Sequence, residues 1–518
     1  MKEDDMTATV APVASKPAGH RATAEQRAII EAACQGGDIR LYGLAGAAKT
    51  STLRAIAHAM RDRKLRGVYL AFNRAIAEAA KGKFPPWVQV MTQHSLAYRT
   101  VGVRYKHRIQ HTGASFKIRK AIEERFGTEL LTVSWNRFGA LKAITSALNA
   151  FLYSDADCVL PVHFDRAHLR DAGIYDDAGA RTLLSITQRA FDAMRDIDDS
   201  FPISHDVYLK IFALDAPDIG VDVILYDESQ DANPVSLQIV LNQRCQRIIV
   251  GDPNQAIYSF RNAVDAFDKV SFPVYPLTQS FRFGEEIARV ANLILEAKGI
   301  EHRLVGNPEI TSKLTKIAIP DLVLSRTNAG LFSEAAALMR VLPPSDKIAF
   351  NGGADVVMDM VISAYHLYKH GRCDHPDFKV FSSWTELVQL AEAKLAENFG
   401  PFVRIVQTHN DDIPAIVAGI ISRSTNAEAD ARVLLSTVHT FKGREKNTVR
   451  IASDFSPFCT VNKNSDSFEF KDEEANIAYV GLTRARYELD LTHYFPVLLE
   501  SRDNAKRMRE MSQMRLIA

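Results

Sequence analysis

Two adjacent acids follow an apolar run in the middle of the chain. The run 223–226, Val-Ile-Leu-Tyr, is typical of a buried strand, and Asp227 and Glu228 come directly after it. Such a pair suits nucleotide hydrolysis, because one carboxylate can hold Mg²⁺ and its neighbour can polarise the attacking water. An acidic pair after a strand also occurs as a solvated loop or a helix cap, so this interpretation needs support from elsewhere in the chain.

A glycine-rich segment upstream supplies that support. Residues 43–50 read Gly43-Leu-Ala-Gly46-Ala-Ala48-Lys49-Thr50 and precede a stretch with helical spacing. The segment fits a loop whose backbone N–H groups cradle phosphates, with Lys49 for the β- and γ-phosphates and Thr50 for Mg²⁺. Glycine is usual where Ala48 stands, and a positive φ there would strain alanine by about 1–2 kcal/mol. We therefore predict a weakened but functional ATP site.

Composition narrows the class of protein. A chain of 518 residues, 47% hydrophobic and 24% charged, is expected to form several soluble globular domains. No apolar run is long enough to span a bilayer and no signal peptide is visible, so no membrane partner is expected. The five cysteines lack metal-ligand spacing, which favours a reduced compartment, cytoplasmic or, in a eukaryote, nuclear. With a net charge of +1, a basic groove would have to be assembled from dispersed runs at 61–66, 104–108 and 117–120.

Strand and helix patterns alternate in two parts of the chain, which predicts two α/β cores with parallel sheets. Short, mainly apolar segments at 39–42, 68–72, 221–226 and 247–250 predict the strands of the first core, and similar segments at 321–325 and 433–436 predict those of the second. The predicted boundaries are a flexible tail at 1–20, a first core at 21–94 and 205–273, an inserted helical domain at 95–204, a second core at 274–345 and 431–505, a reduced inserted domain at 346–430, and a C-terminal tail at 506–518.

Taken in order with the segment 251–258, Gly-Asp-Pro-Asn-Gln-Ala-Ile-Tyr, these motifs resemble superfamily 1 DNA helicases of the UvrD/Rep/PcrA type. The resemblance implies two RecA-like P-loop NTPase cores, each interrupted by a largely helical insertion, with ATP and Mg²⁺ as cofactors. Segments 72–77, 204–210 and 277–284 are similar in style to the F-box-containing DNA helicase branch. The likeness runs from about 21 to 495, and we expect no F-box ahead of it.

The resemblance implies a role for each candidate residue of the nucleotide site. Asp227 would hold Mg²⁺, Glu228 would be the general base, and Gln255 would sense the γ-phosphate. Arg282 and Arg484 would stabilise the charge that develops on the transferred phosphoryl group. The remaining contacts it implies are Gln26 and Phe281 at the adenine, Glu445 at the ribose, and Gly43, Gly46, Ala48, Lys49 and Thr50 around the phosphates and Mg²⁺. Arg444 departs from the usual leucine beside Glu445.

A path for single-stranded DNA would combine aromatic stacking with phosphate contacts. The candidates are Phe72, His94, Tyr258, Phe260, Arg261, Thr437 and His439. Phe260, followed by Arg261, is the stronger stacking candidate, because Tyr258 also suits a core position. Gln93 stands beside His94 where an aromatic residue is common.

The resemblance implies an ATP-dependent DNA helicase that translocates on single strands, with 3′→5′ polarity expected. It would act as a monomer on single-stranded DNA and single-strand/duplex junctions in replication, repair or recombination. Two alternatives stay open: a translocase that displaces proteins but unwinds weakly, and a DNA-binding module whose ATPase has decayed through Ala48. The intact Lys49, Glu228 and Gln255 argue against the second.

Overall fold

The computed structural model describes residues 22–134, 136–258, 269–393, 396–462 and 467–517. The chain divides into two compact units. The first comprises Met1–Gly43 and Ala48–Leu277, and the second comprises Leu44–Ala47 and Thr278–Ala518. No helix in the described part of the chain is long and apolar enough to cross a membrane.

The first unit is built on a sheet of six parallel strands. They are β1 (Ile39–Gly43), β2 (Gly67–Ala71), β3 (Val88–Thr92), β4 (Val223–Tyr226), β5 (Gln246–Gly251) and β6 (Val274–Leu277). Their spatial order is β3-β2-β4-β5-β1-β6. Every residue of β2 and β4 is buried, as expected for central strands of a parallel sheet covered on both faces.

Ten helices accompany this sheet in the described residues. They are α1 (Ala24–Cys34), α2 (Lys49–Ala59), α3 (Arg74–Ala80), α4 (Gln93–Thr100), α5 (Ala114–Leu130), α6 (Arg137–Tyr153), α7 (Arg166–Asp171), α8 (Asp177–Arg195), α9 (His205–Asp215) and α10 (Pro234–Leu241). The long stretch between β3 and β4 is therefore helical. The apolar core of these helices includes Val235 and Ile239 of α10, the helix between β4 and β5. The helical stretch therefore packs against a helix that belongs to the α/β core.

One predicted boundary differs from the structure. Val274–Leu277 was placed at the start of the second core, but this strand pairs with β1 in the first sheet, with Arg40 opposite Val274 and Gly43 opposite Leu277. The first sheet therefore ends four residues later than the predicted boundary at 273. A short edge strand with an exposed first residue and a proline carries little periodic signal.

The second unit holds another sheet of six parallel strands. Its strands are β7 (Lys313–Leu314), β8 (Leu322–Ser325), β9 (Ile348–Phe350), β10 (Val433–Thr437), β11 (Lys446–Ile451) and β14 (Ala485–Asp490), and a separate antiparallel pair is formed by β12 (Cys459–Asn462) and β13 (Ser467–Phe470). The spatial order of the six is β7-β14-β11-β8-β10-β9. The predicted α/β class with two parallel sheets is confirmed.

The helices of the second unit surround this sheet. They are α11 (Glu285–Ala297), α12 (Asn328–Val341), α13 (Ala354–His370), α14 (Trp384–Glu392), α15 (Gly400–His409), α16 (Ile413–Ser422), α17 (Val438–Phe441), α18 (Asp472–Leu482) and α19 (Phe495–Ile517). Four of them, α13 to α16, lie in the predicted insertion at 346–430.

That segment is more closely joined to the second sheet than the sequence indicated. β9 pairs with β10, with Ile348 opposite Val433. Residues of α13 and α15, such as Val361 and Phe402, share one apolar core with Val323 of β8 and Val433 of β10. The segment thus contributes a strand to the sheet, and a strand of three residues is too short to show a period of two.

Candidate nucleotide-binding site

Three predicted motifs follow strands of the first sheet at the same edge. β4, β5 and β1 are neighbours in the sheet, and each delivers a predicted motif at its carboxyl end. The acidic pair follows β4, Asp252 to Gln255 follow β5, and the glycine-rich segment follows β1. Ligands bind at this edge of parallel sheets, because the loops there converge and helix N-termini point toward it.

The glycine-rich segment turns from β1 into α2 through a left-handed backbone. Gly46 has a φ of 72°, and Ala48, the residue before α2, has a φ of 55° and a ψ of 38°. Gly43 is required for space, since a Cβ there would lie 2.5 Å from Cγ of Lys49. The Nζ of Lys49 donates to the carbonyl of Gly43 at 3.2 Å. Ala48 therefore occupies the strained conformation that the sequence comparison with glycine suggested.

Asp227 is buried and is held by three donors. Its Oδ2 accepts hydrogen bonds from Oγ1 of Thr50 and from the hydroxyl of Tyr69, each at 2.7 Å, and its Oδ1 accepts from the backbone N of Glu228 at 2.9 Å. Burial and the neighbouring Glu228 carboxylate raise the pKa of Asp227, while the Thr50 and Tyr69 hydroxyls oppose that rise. The predicted Mg²⁺ ligands Thr50 and Asp227 are thus in direct contact.

Glu228 is connected to the loop after β5 by a chain of hydrogen bonds. Its Oε2 accepts from Nε2 of Gln230 at 2.6 Å, and Oε1 of Gln230 accepts from the backbone N of Asp252 at 2.9 Å. Oδ2 of Asp252 accepts in turn from Nε2 of Gln255 at 2.6 Å. Glu228 itself has a φ of 54°, a strained value of the kind that accumulates at functional sites. The candidate base and the candidate γ-phosphate sensor belong to one network.

Three members of this network were missed by sequence reasoning. Asp252 stands inside the segment 251–258, three residues before Gln255, and Gln230 stands two residues after Glu228, so the neighbouring motifs pointed to both. Tyr69 gave no such signal, because an aromatic residue in a strand is most often part of the core. Only the pairing of β2 with β4 brings it to Asp227.

Gln26, the predicted adenine contact, is fixed in orientation. Together with Thr23 it forms a capping box at the start of α1, in which Oε1 of Gln26 accepts from the backbone N of Thr23 at 3.1 Å. Its Nε2 donates to Oγ1 of Thr52 in α2 at 3.1 Å. The amide is therefore attached to the helix that follows the phosphate loop.

The residues present fit Mg²⁺ carried by a nucleotide. Thr50 and Asp227 offer hydroxyl and carboxylate oxygens, the ligands that Mg²⁺ prefers, and one or two carboxylates plus phosphate oxygens are its usual partners at such sites. Among the described residues no group of three or more His, Cys, Asp or Glu side chains could hold a metal alone. The donor set thus suits a metal that arrives with phosphates.

In the second unit, Arg282 and Glu445 form an ion pair. Nε of Arg282 donates to Oε2 of Glu445 at 2.6 Å, and its Nη1 donates to the carbonyl of Thr483 at 3.0 Å. Nε of Arg486 lies 3.7 Å from Oε1 of the same carboxylate. Arg444, the unusual neighbour, pairs with Glu428 instead and covers the Phe441 ring at 4.8 Å.

Arg484 is buried within the same unit. Its Nε donates to the carbonyl of Val480 at 2.8 Å and its Nη2 to Oγ1 of Thr483 at 3.1 Å. Phe281, the predicted adenine platform, is half-buried beside Arg282. Thr483 accepts a hydrogen bond from each of the two arginines, from Arg282 through its carbonyl and from Arg484 through its hydroxyl. Arg282, Glu445 and Arg484 therefore lie close together in the second unit.

The candidate DNA-contacting residues lie on several different elements of the fold. The rings of Phe72 and Tyr258 stack on each other, with centroids 6.0 Å apart and planes 14° from parallel. His94 lies 3.3 Å from Oδ1 of Asp206, with 44% of its side chain exposed. The neighbouring Gln93 is buried, and its Nε2 donates to the carbonyl of Ser236 at 2.7 Å.

The other predicted DNA contacts are Thr437 and His439 at the end of β10, and Phe260 and Arg261. Thr437 caps α17, where its hydroxyl lies 2.9 Å from that of Thr440. His439 is half-buried in α17. Phe260 and Arg261 lie outside the described residues.

Two α/β units, each with a sheet of parallel strands, and a glycine-rich loop and an acidic pair at the edge of the first sheet define a P-loop nucleotide-hydrolase architecture. Residues 215–268 match the UvrD/REP helicase N-terminal domain, and residues 393–494 match the UvrD-like helicase C-terminal domain. These matches support a UvrD-type superfamily 1 helicase, as the motifs predicted. The two six-stranded parallel sheets with their helices are consistent with two RecA-like α/β domains.

Two curated relatives match almost the whole chain. F-box DNA helicase 1 from Gallus gallus is 32% identical over 500 residues, which are 90% of this chain and 48% of the relative. F-box DNA helicase protein 1 from Schizosaccharomyces pombe is 29% identical over 517 residues, which are 90% of this chain and 57% of the relative. The chain thus spans about half the length of these relatives.

Proposed function

We propose that this chain is an ATP-dependent DNA helicase that moves along single-stranded DNA. The observation that carries the proposal is the continuous network from Thr50 through Asp227 and Glu228 to Gln255. Such a network orients a carboxylate base and a metal-binding carboxylate around the place where a γ-phosphate would lie. The matches to the UvrD-type helicase domains and the similarity to two F-box DNA helicases support the same activity.

Each residue of the network has a chemical task in hydrolysis. Lys49 and the loop amides would bind the phosphates, and Thr50 and Asp227 would hold Mg²⁺, which neutralises phosphate charge when bound. Glu228 would accept a proton from the attacking water, and Gln230 keeps its carboxylate oriented. Arg282 and Arg484 would stabilise the charge that builds on the transferred phosphoryl group.

DNA would be bound by stacking and by phosphate contacts. Phe72 and Tyr258 already form a stacked pair, and the His94 ring is held beside the Asp206 carboxylate with 44% of its side chain exposed. We further propose Phe260, Arg261, Thr437 and His439 as contacts. The expected polarity is 3′→5′, with a monomer acting at single-strand/duplex junctions in DNA replication, repair or recombination, in a reduced compartment.

The positive φ of Ala48 gives the decayed-ATPase alternative a physical basis. The strain it implies is about 1–2 kcal/mol. Because the folded loop already carries this strain, its cost falls mainly on the stability of the fold, and it does not by itself abolish ATP binding. We therefore favour an active enzyme.

Strand displacement on partial duplexes tests this proposal. Duplexes with a 3′ or a 5′ single-stranded tail would be compared, next to single strands that carry bound streptavidin. We expect ATP-dependent unwinding of the 3′-tailed substrate, and no unwinding by a Lys49→Ala control. Streptavidin removal without unwinding would instead establish the translocase alternative, and DNA binding with neither reaction would establish a binding module.

A further inference from the structure

Tyr69 of β2 has a buried hydroxyl that contacts the candidate metal site. Its side chain has no solvent exposure, and its hydroxyl donates to Oδ2 of Asp227 at 2.7 Å. We infer that Tyr69 is a positioning residue that holds the Asp227 carboxylate in the orientation that binds Mg²⁺. The inference rests on the proposed function and adds a residue to its site.

The three donors around Asp227 are not equivalent. The hydroxyl of Thr50 is itself a candidate Mg²⁺ ligand, so its bond to Oδ2 is subject to change when the metal binds. The backbone N of Glu228 fixes only the other oxygen, Oδ1. Tyr69 is the side-chain donor to Oδ2 that has no second task, so it can hold that oxygen both with and without the metal.

The fold keeps Tyr69 in place independently of Asp227. Its ring packs on Phe84, with centroids 4.6 Å apart. β2 and β4 are paired with Leu70 opposite Tyr226, and the backbone N of Asp227 donates to the carbonyl of Leu70 at 3.2 Å.

A simpler account is a core tyrosine whose hydroxyl merely finds a partner. On that account, loss of the hydroxyl lowers stability but leaves Mg²⁺ binding unchanged. On the positioning account, the main effect is on the metal, because residues that orient metal ligands typically contribute 10- to 100-fold to metal affinity. The two accounts therefore differ in which quantity responds.

Tyr69→Phe separates them, because it keeps the ring and removes only the oxygen. The matched control is Tyr226→Phe, which removes a buried hydroxyl directly before Asp227. The Tyr226 ring belongs to the apolar cluster with Val68 and Leu70, on the other face of the sheet, and its hydroxyl bonds to Gln93. Both variants thus lose one buried hydrogen bond, but only one of them touches Asp227.

The measurement is the affinity for ADP by calorimetry, in EDTA and across a Mg²⁺ titration, together with the thermal midpoint of each variant. For Tyr69→Phe we expect the Mg²⁺ concentration at half effect to rise about tenfold, with unchanged ADP affinity in EDTA. For Tyr226→Phe we expect the Mg²⁺ midpoint to stay within twofold of wild type.

A Mg²⁺ midpoint for Tyr69→Phe within twofold of wild type would overturn the positioning role, as would equal shifts in both variants. These outcomes leave the proposed function intact, because the wild-type protein still binds Mg·ADP. Absence of Mg²⁺-dependent ADP binding in wild type would overturn the proposed function, and this inference with it.

Discussion

The two units hold their candidate residues in different ways. In the first, buried carboxylates accept hydrogen bonds from neutral hydroxyl and amide groups, as Asp227 does from Thr50 and Tyr69. In the second, Arg282 is bound to another charged side chain, Glu445, whose side chain is 40% exposed. In the first arrangement, the Tyr69 hydroxyl and the Glu228 backbone N can keep their bonds to Asp227 when the proposed Mg·ATP binds, while the bond from Thr50 is subject to change. Under the proposed function, Arg282 would instead exchange its carboxylate partner for a phosphate, so we expect the greater catalytic preorganisation in the first unit.

The largest expected effect comes from the first unit. Glu228→Gln should lower ATP turnover by roughly 10²–10⁴-fold, because it removes the base while Gln230 and the phosphate loop remain. Mg·ATP affinity should stay within a few-fold of wild type. Steady-state hydrolysis and equilibrium binding on the same preparation measure both quantities, and turnover near the wild-type rate would show that Glu228 is not the base.

In the second unit, Arg282→Ala should lower kcat by about 10³-fold, as loss of an arginine finger does. Glu445→Gln should change kcat by less and in the opposite direction, because a neutral amide holds the Arg282 guanidinium less tightly than a carboxylate does. Steady-state measurement of kcat for both variants tests this ranking. A kcat for Arg282→Ala above that of Glu445→Gln would contradict it.

Substitution of Arg484 tests catalysis less directly than substitution of Arg282, because Arg484 also contributes to the stability of the fold. Its guanidinium is buried and donates to Val480 and Thr483, so Arg484→Ala should lower the thermal midpoint as well as kcat. Single-stranded DNA binding without nucleotide should remain nearly intact at temperatures where the variant is folded. Loss of DNA binding with normal DNA-free hydrolysis would contradict the assigned role.

A smaller effect is expected at the stacked pair of Phe72 and Tyr258. Phe72→Ala should weaken single-stranded DNA binding by roughly 5- to 150-fold, the range for one stacked base, while DNA-free hydrolysis is preserved. Phe138→Ala is a suitable control, because this ring is 65% exposed and lies in the helical stretch between β3 and β4. Fluorescence anisotropy with labelled oligothymidylate measures both, and equal affinities for the two variants would exclude Phe72 as a platform.

The smallest effect is expected at the phosphate loop. Ala48→Gly should relieve the left-handed strain and stabilise the first unit by up to about 1 kcal/mol after the entropy of glycine is included. ATP affinity should be retained or improved. Ala216→Gly is the matched control, since Ala216 has a φ of 41° at the end of α9, and it should raise the thermal midpoint without changing ATP affinity.

The sequence predicted the strands and site residues that have a local pattern, and it missed those that depend on contacts between distant parts of the chain. The strand before the acidic pair is a continuous apolar run, and the strand before the P-loop alternates buried and partly buried residues directly ahead of a glycine-rich turn. Their positions, and the convergence of Lys49, Asp227 and Gln255 at one sheet edge, therefore followed from the sequence. β9 and β6 were missed, since strands of three and four residues at sheet edges show no usable periodicity. The contact of Tyr69 with Asp227 depends on the tertiary pairing of β2 with β4, which spacing does not encode. The sequence raised a positive φ at Ala48 only as a possibility, and the backbone geometry decides it.

The most direct test of the central claim is ATP hydrolysis by the wild-type protein with and without single-stranded DNA, beside Lys49→Ala. We predict a low rate without DNA, a rate at least tenfold higher with saturating oligothymidylate, and no hydrolysis by Lys49→Ala under either condition. Hydrolysis that is absent in wild type, or that persists in Lys49→Ala, would contradict the assignment of this network as a DNA-stimulated ATPase site.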